Sequence, residues 1–259
     1  MALPACTAGV CSSSCAAGFA DCDRDLGRGA LGNGCETSLA DDPQNCGACG
    51  APCAAAAGTV AACAARRCGW YALVTSPLTG SRLHGGPGGL PFSMLCQANE
   101  VVTGLRVVAT DAWLYGLAVD CGHLELARTG AAYTVKITPG KTFDMVGASI
   151  TGQPPPVPLK CPPSTVVIAV TGTTWSTAAF TENVKAITLT CAELVVDAAR
   201  QVTVRAPTTM LSAGSTTGGV TPFADACGVA GALVGLTGRN GTLIDAVATT
   251  CGKVAVALQ

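Results

Sequence analysis

The sequence predicts an all-β protein: a threefold internally repeated β-prism of three antiparallel sheets, preceded by a disulfide-rich, loop-dominated module. Three observations predict it. Cysteines crowd the first quarter of the chain, one unit recurs three times after it, and apolar residues alternate with polar ones instead of following a helical period.

The cysteines come first. Of 16 in 259 residues, ten lie within residues 1–68 and six beyond, at Cys96, Cys121, Cys161, Cys191, Cys227 and Cys251. Both subsets are even, so each region can close its own bridges. Sixteen thiols have little use in a reducing cytosol, which places the chain in an extracellular or cell-surface setting. Zinc is the rival for the first segment, since Cys46 and Cys49 have C-x2-C spacing. A second such pair is missing, however, and both histidines, His84 and His123, lie outside the segment. The start shows no cationic leader or apolar h-region, as expected of a mature or trimmed chain with Met1 added. The "LPAC" at Cys6 is a partial lipobox; lipidation would leave nine cysteines there, so a disulfide is the favoured reading.

Composition narrows the function. Fifteen basic and 16 acidic residues give a net charge of −1, so no basic field exists for nucleic acid or acidic membranes. Charges or prolines interrupt every apolar run before the roughly 20 residues of a transmembrane helix. Only 12% of residues are charged, which leaves a Thr-, Ser-, Ala- and Gly-rich surface.

Residues 1–68 hold few large apolar side chains, so bridges must replace the missing core. Asp21, Asp23 and Asp25 alternate here, and Glu36 follows. Alternating carboxylates can converge on Ca²⁺, the one cofactor the sequence offers. The spacing is not that of an EF-hand loop, because Leu26 stands where glycine is needed and Gly32 where the closing glutamate belongs. A calcium site and a solvated acidic turn both remain open. The stretches "GFADCDRD" and "NGCETSLADDPQNCGACGAPC" resemble cysteine-rich modules repeated in large surface and secreted proteins of myxobacteria, over about residues 6–53. That resemblance implies a bacterial extracellular context and no particular activity.

Residues 69–259 repeat themselves. Copies begin at Cys96, Cys161 and Cys227, 65 and 66 residues apart. Each has a cysteine, an apolar strand, a polar turn, a second alternating strand and a closing cysteine. A β-like segment lies upstream of each ("WYALVTSPLTG", "AYTVKITPGKTF", "QVTVRAPTTM"), followed by a stretch leading to the first cysteine, most plainly "GGPGGLPFSMLC". Each unit is thus three or four strands, over about 69–130, 131–198 and 199–259. Three such sheets close naturally around a pseudo-threefold axis. The simplest pairing is one bridge per copy: Cys96–Cys121, Cys161–Cys191 and Cys227–Cys251, each contributing ~3–4 kcal/mol by the chain-entropy model.

The spacing "[VL]-V-x-G-L … G-x-x-[IV]-D-x-[IV] … C", clearest at Leu233–Leu236 with "GRNGTLIDAV", resembles vitelline membrane outer layer protein I and, more distantly, the jacalin-type lectins. The resemblance spans roughly residues 70–258. It implies that Gly241 to Asp245 is the G-x-x-x-D loop that supplies the sugar-binding aspartate in jacalin-type lectins. An aspartate at a turn, beside free backbone N–H groups, suits sugar hydroxyls. Asn240 joins that turn and opens an Asn-Gly-Thr sequon. The corresponding turns of the first two copies place Trp113 and Trp175 instead. These rings can stack on a sugar or plug the open end of the prism, and both uses stay open.

No nucleophile elbow, metalloprotease helix or phosphate loop is present, and the two histidines have no evident partner, as expected of surface residues. The function read from the sequence is therefore non-enzymatic carbohydrate binding or adhesion outside the cell, with glycans as partners. The alternative is a structural subunit of a self-assembling coat, fibre or matrix. The low charge suits close self-packing, and the vitelline-layer resemblance implies it too.

Overall fold

The computed structural model describes residues 2–7, 10–26, 34–78, 80–147, 153–177, 180–216 and 220–259. No helix occurs among them, so none is long and apolar enough to cross a membrane. The chain divides into two compact units, Met1–Ala72 with Ala257–Gln259, and Leu73–Val256.

In the first unit, β1 (Ala2–Thr7) pairs with β2 (Val10–Cys15), β3 (Phe19–Ala20) with β4 (Thr37–Ser38), and β5 (Val60–Ala64) with the start of β6 (Arg67–Pro77). Bridges join Cys15 to Cys35, Cys22 to Cys49, Cys46 to Cys63 and Cys53 to Cys68. Cys46 and Cys49 are thus disulfide-bonded to different partners and do not form a zinc pair. The buried cluster consists of Cys46, Cys53 and Cys63. The side chains of Cys6 and Cys11 lie outside the described residues.

The second unit continues with β7 (His84–Gly85), β8 (Leu90–Leu95), β9 (Glu100–Ala109), β10 (Leu114–Thr129), β11 (Ala132–Thr142), β12 (Val146–Gly147) and β13 (Val157–Lys160). After these come β14 (Thr165–Thr177), β15 (Phe180–Val196), β16 (Val202–Gly214), β17 (Val220–Ala226), β18 (Gly231–Asn240) and β19 (Ile244–Leu258). They form three antiparallel sheets. The first runs β11-β10-β9-β13 with β12 against β10, and the second β16-β15-β14-β17. The third runs β6-β19-β18-β8 with β7 against β19. Each sheet is built on one long hairpin, and all three turn apolar residues into one core. Leu105, Leu117 and Val119 come from the first sheet, Val170, Ile187 and Leu189 from the second, and Leu233, Leu236 and Val247 from the third. This is the three-sheet prism that the repeats predict.

The sheets are out of phase with the repeat limits read from the sequence. The two strands upstream of each copy pair with the preceding copy's hairpin: β11 and β13 with the first, β16 and β17 with the second. The third sheet is completed by β6 and β8, which come before all three copies in the chain. Local geometry explains this phase. Thr129 faces Ala132 across a turn of Gly130 and Ala131, with Gly130 at φ +62°, so β11 can only fold back onto β10.

The same phase gives the bridges their role. The Cys96 N–H donates to Val234 O of the third sheet (2.9 Å), while its sulfur is bonded to Cys121 of the first. The Cys161 N–H donates to Thr103 O of the first sheet (2.9 Å), with its sulfur on Cys191 of the second. The Cys227 N–H donates to Ile168 O of the second (2.9 Å), with its sulfur on Cys251 of the third. Each bridge therefore staples one sheet to the next and closes the ring.

Candidate functional site

One backbone feature recurs in all three sheets and fixes which residues correspond. Gly85, Gly147 and Gly214 lie at φ +120°, +106° and +90°. A Cβ on any of them would sit 2.0–2.2 Å from the carbonyl oxygen of Asp245, Tyr115 or Lys185 respectively. Only glycine meets both demands. The three sheets thus present an aspartate, a tyrosine and a lysine at equivalent places, and the carboxylate belongs to the third sheet alone.

Around Asp245 the chain folds as follows. Asn240 faces Ile244 across the β18–β19 turn, and the Gly241 N–H donates to Leu243 O (2.9 Å). Gly85 pairs with Ala246, and the Gly86 N–H donates to Asp245 O (3.0 Å). The chain then crosses to the other side of the hairpin, where Leu90 pairs with Asn240. Residues 86–89 therefore arch across the turn. A Cβ on Gly88 would fall 2.8 Å from Asp245 Oδ1, and one on Gly89 2.4 Å from Oδ2. Glycine is what lets this wall lie against the carboxylate. Arg239 holds the wall from β18: its Nε donates to Gly88 O and its Nη2 to Gly89 O, both at 2.8 Å.

Asp245 Oδ2 is buried and accepts no hydrogen bond among the described residues. Burial pushes the carboxyl pKa up, while the Gly241 N–H and the Arg239 guanidinium act against that rise. A half-buried carboxylate with a free acceptor, fringed by backbone polar groups, suits a hydroxyl donor. A single carboxylate beside an arginine does not suit a cation.

Trp113 and Trp175 are brought to each other. Their rings meet edge-to-face with centroids 5.1 Å apart, and both are half-buried. They do not occupy matching positions as expected. Trp113 precedes β10, with its carbonyl accepting from the Thr110 N–H (3.0 Å), whereas Trp175 lies within β14 opposite Asn183.

In the first unit, one oxygen from each of Asp21, Asp23, Asp25 and Glu36 lies within 4.8 Å of the others. Asp21 accepts from the Asp25 and Leu26 N–H groups (2.9 Å each), and Glu36 from the Cys22 N–H (3.0 Å). The Leu26 N–H first, and then that of Asp25, lower the Asp21 pKa; the Glu36 backbone N–H first, and then that of Cys22, lower the Glu36 pKa. The Asp23 pKa is raised, by desolvation first and then by its acidic neighbours. The four oxygens could hold a hard cation such as Ca²⁺.

Sequence reasoning missed one further cluster. His84 is buried instead of lying on the surface, and its Nε2 is 3.0 and 3.1 Å from the two oxygens of Asp225, 141 residues away. Its ring stacks on Phe223 at 4.4 Å, and Asp225 also accepts from Thr249 Oγ1 (3.0 Å). Alternation along β17 offered the only signal, and it does not name the partner strand.

The molecule is thus a disulfide-linked β-prism with one glycine-walled carboxylate at a hairpin turn. No family model and no curated protein matches the chain. Similar solved structures include a mannose-specific jacalin-related lectin from Morus nigra in complex with mannose, 19% identical, covering 68% of this chain and 95% of that one at a TM-score of 0.46. Frutapin, a lectin from Artocarpus incisa, is 17% identical over 70% and 98%, at 0.46. A mannose-binding jacalin-related lectin from Ananas comosus is 21% identical over 68% and 96%, at 0.42.

Proposed function

We propose that this protein binds carbohydrate without catalysis, as an extracellular or cell-surface adhesion protein, and that Asp245 is the centre of its sugar site. The observation that carries the reading is the Asp245 carboxylate. It holds an unfilled, buried acceptor at the end of a hairpin, walled by glycines that leave the surrounding backbone close by. Leaving such an acceptor unpaired costs about 1–3 kcal/mol, and a ligand hydroxyl that fills it recovers that energy. Asn240 and Gly241 complete the turn. The mutual packing of Trp113 and Trp175 favours a structural role for that pair over sugar stacking. Ca²⁺ at the four-carboxylate cluster would serve the first unit, apart from the sugar site.

The test is a glycan array on the oxidised protein, with and without EDTA, followed by calorimetry on any hit. Mannose, which the Morus nigra and Ananas comosus lectins bind, is a reasonable first sugar. Saturable binding that free sugar competes and Asp245→Ala abolishes would support the reading. A blank array, with large concentration-dependent species in sedimentation, would replace it with the self-assembling subunit.

A further inference from the structure

The wall over Asp245 is made of residues that resist being fixed. Four of the five positions from Gly85 to Gly89 are glycine, and the fifth, Pro87, has no N–H to donate. Free, such a segment samples many shapes, and a ligand would have to order it at the cost of affinity. The structure pins it at several points. The Ser81 N–H donates to Thr249 O (2.8 Å), and the Thr249 N–H donates to Ser81 Oγ (2.9 Å). His84 is clamped between Phe223 and Asp225. The Gly86 N–H is held by Asp245 O, and the carbonyls of Gly88 and Gly89 by Arg239.

Among these anchors the His84–Asp225 pair stands apart. Asp225 lies on β17 of the second sheet, whereas the wall and Asp245 belong to the third. We propose that His84 and Asp225 are positioning residues, a strut between two sheets that holds the glycine wall closed over Asp245. The ligand consequence rests on the carbohydrate reading above; the mechanical claim does not. His84 enters the wall directly, being the residue before Gly85, and its equivalents in the other sheets, Val146 and Ala213, are apolar. A carboxylate only accepts, so Nε2 of His84 carries the proton of this hydrogen bond. The strut acts as a fixed support.

The experiment follows three readouts in the full-length oxidised protein: amide exchange at Gly86, the titration of the Asp245 carboxyl by NMR, and mannose binding by calorimetry. His84→Phe keeps a ring over Phe223 but loses the donor. The expected result is Gly86 exchange faster by about tenfold, as loss of one buried hydrogen bond implies. The Asp245 pKa should also fall back toward the ordinary carboxylate range as its cover lifts, and mannose affinity should drop by a similar factor. His84→Gln, which can still donate to Asp225, should restore most of each. Thr103→Val, which removes a side-chain hydrogen bond to Asp120 O within the first sheet and away from the wall, should leave all three unchanged. Unaltered Gly86 exchange and Asp245 titration in His84→Phe would overturn the proposal. If that variant fails to fold, Asp225→Asn provides the same test with a smaller expected shift. A wild type that binds no sugar, with both mechanical readouts moving as stated, would support the strut and overturn the carbohydrate reading alone.

Discussion

The two units of this chain reach order by different means. In the first, the buried cluster is made of cysteines, and Leu39 is the largest buried side chain among the described residues. Four described bridges act on sequence separations of 15–27 residues. In the second, Leu, Ile and Val from three sheets pack into one core, and three bridges tie sheet to sheet. The contrast teaches what a disulfide is for in each setting. Where little apolar surface can be buried, the cross-links restrict the unfolded chain and supply most of the stability. Where a core exists, they fix the arrangement of elements that already have reason to fold.

Reduction breaks this comparison most severely. Cys49 and Cys68 are exposed, so their bridges are open to a mild thiol, whereas Cys191, Cys227 and Cys251 are buried. Graded dithiothreitol with hydrogen exchange should strip protection from residues 15–26 and 34–72 while the core strands of residues 73–256 stay protected. Simultaneous loss in both units would contradict the distinction. Next in size are cavities in the second unit. Leu117, Leu189 and Leu236 are fully buried, one on each sheet, so truncating any one to alanine should cost about 2–5 kcal/mol in denaturant unfolding. Equal costs within a factor of two would fit one shared core; a nearly neutral variant would show that its sheet packs independently.

Much of the fold was legible because it is periodic. Alternating β-branched residues and a cysteine at a fixed interval mark the hairpins and their number. The sheet phase was harder, because it depends on turns between copies, such as the one at Gly130, and on strands that precede the repeats. At the candidate site, the proposal of Asp245 came from the resemblance of its turn, Gly241 to Asp245, to the jacalin-type loop. The wall over it had no such signal, because "GGPGG" reads as a linker and lies some 150 residues earlier. Positive φ at Gly85 and contact with Asp245 arise only when β7 docks on β19. The His84–Asp225 pair joins two sheets and has no local pattern at all.

Smaller effects sharpen the comparison at individual carboxylates. The folded Asp245 carboxyl has a raised pKa, so the folded state takes up a proton more readily than the unfolded. The penalty is present above the folded pKa and is relieved as pH falls through it. Asp245→Asn should therefore raise Tm near neutral pH by about 1–3 °C, with the gain over wild type shrinking in acid. On the proposed carbohydrate reading, the same variant should lose sugar binding. Thermal melts from pH 3 to 7 check the first claim and calorimetry the second; an unchanged or lowered neutral Tm would contradict the burial argument.

The smallest effect is expected in the first unit, at the acidic cluster, where opposite linkages meet. Asp21 and Glu36 have lowered pKa values, so their stabilising bonds are present above the unfolded carboxylate pKa and are lost as pH falls through the folded one. Asp23 has a raised pKa, so its contribution has the other sign: it destabilises at neutral pH and is relieved in acid. In chelator, Asp23→Asn should slightly raise protection in residues 21–26 and 34–38, while Asp21→Asn should lower it, because it weakens the acceptor for the Asp25 and Leu26 amides. Added Ca²⁺ inverts the Asp23 comparison if four oxygens within 4.8 Å act as ligands. The wild type should then gain protection that Asp23→Asn does not. Hydrogen exchange at residues 21–26 and 34–38, with EDTA and with millimolar CaCl₂, separates the two. A gain in chelator without a calcium response would assign the cluster to a solvated turn, ordered by backbone hydrogen bonds alone.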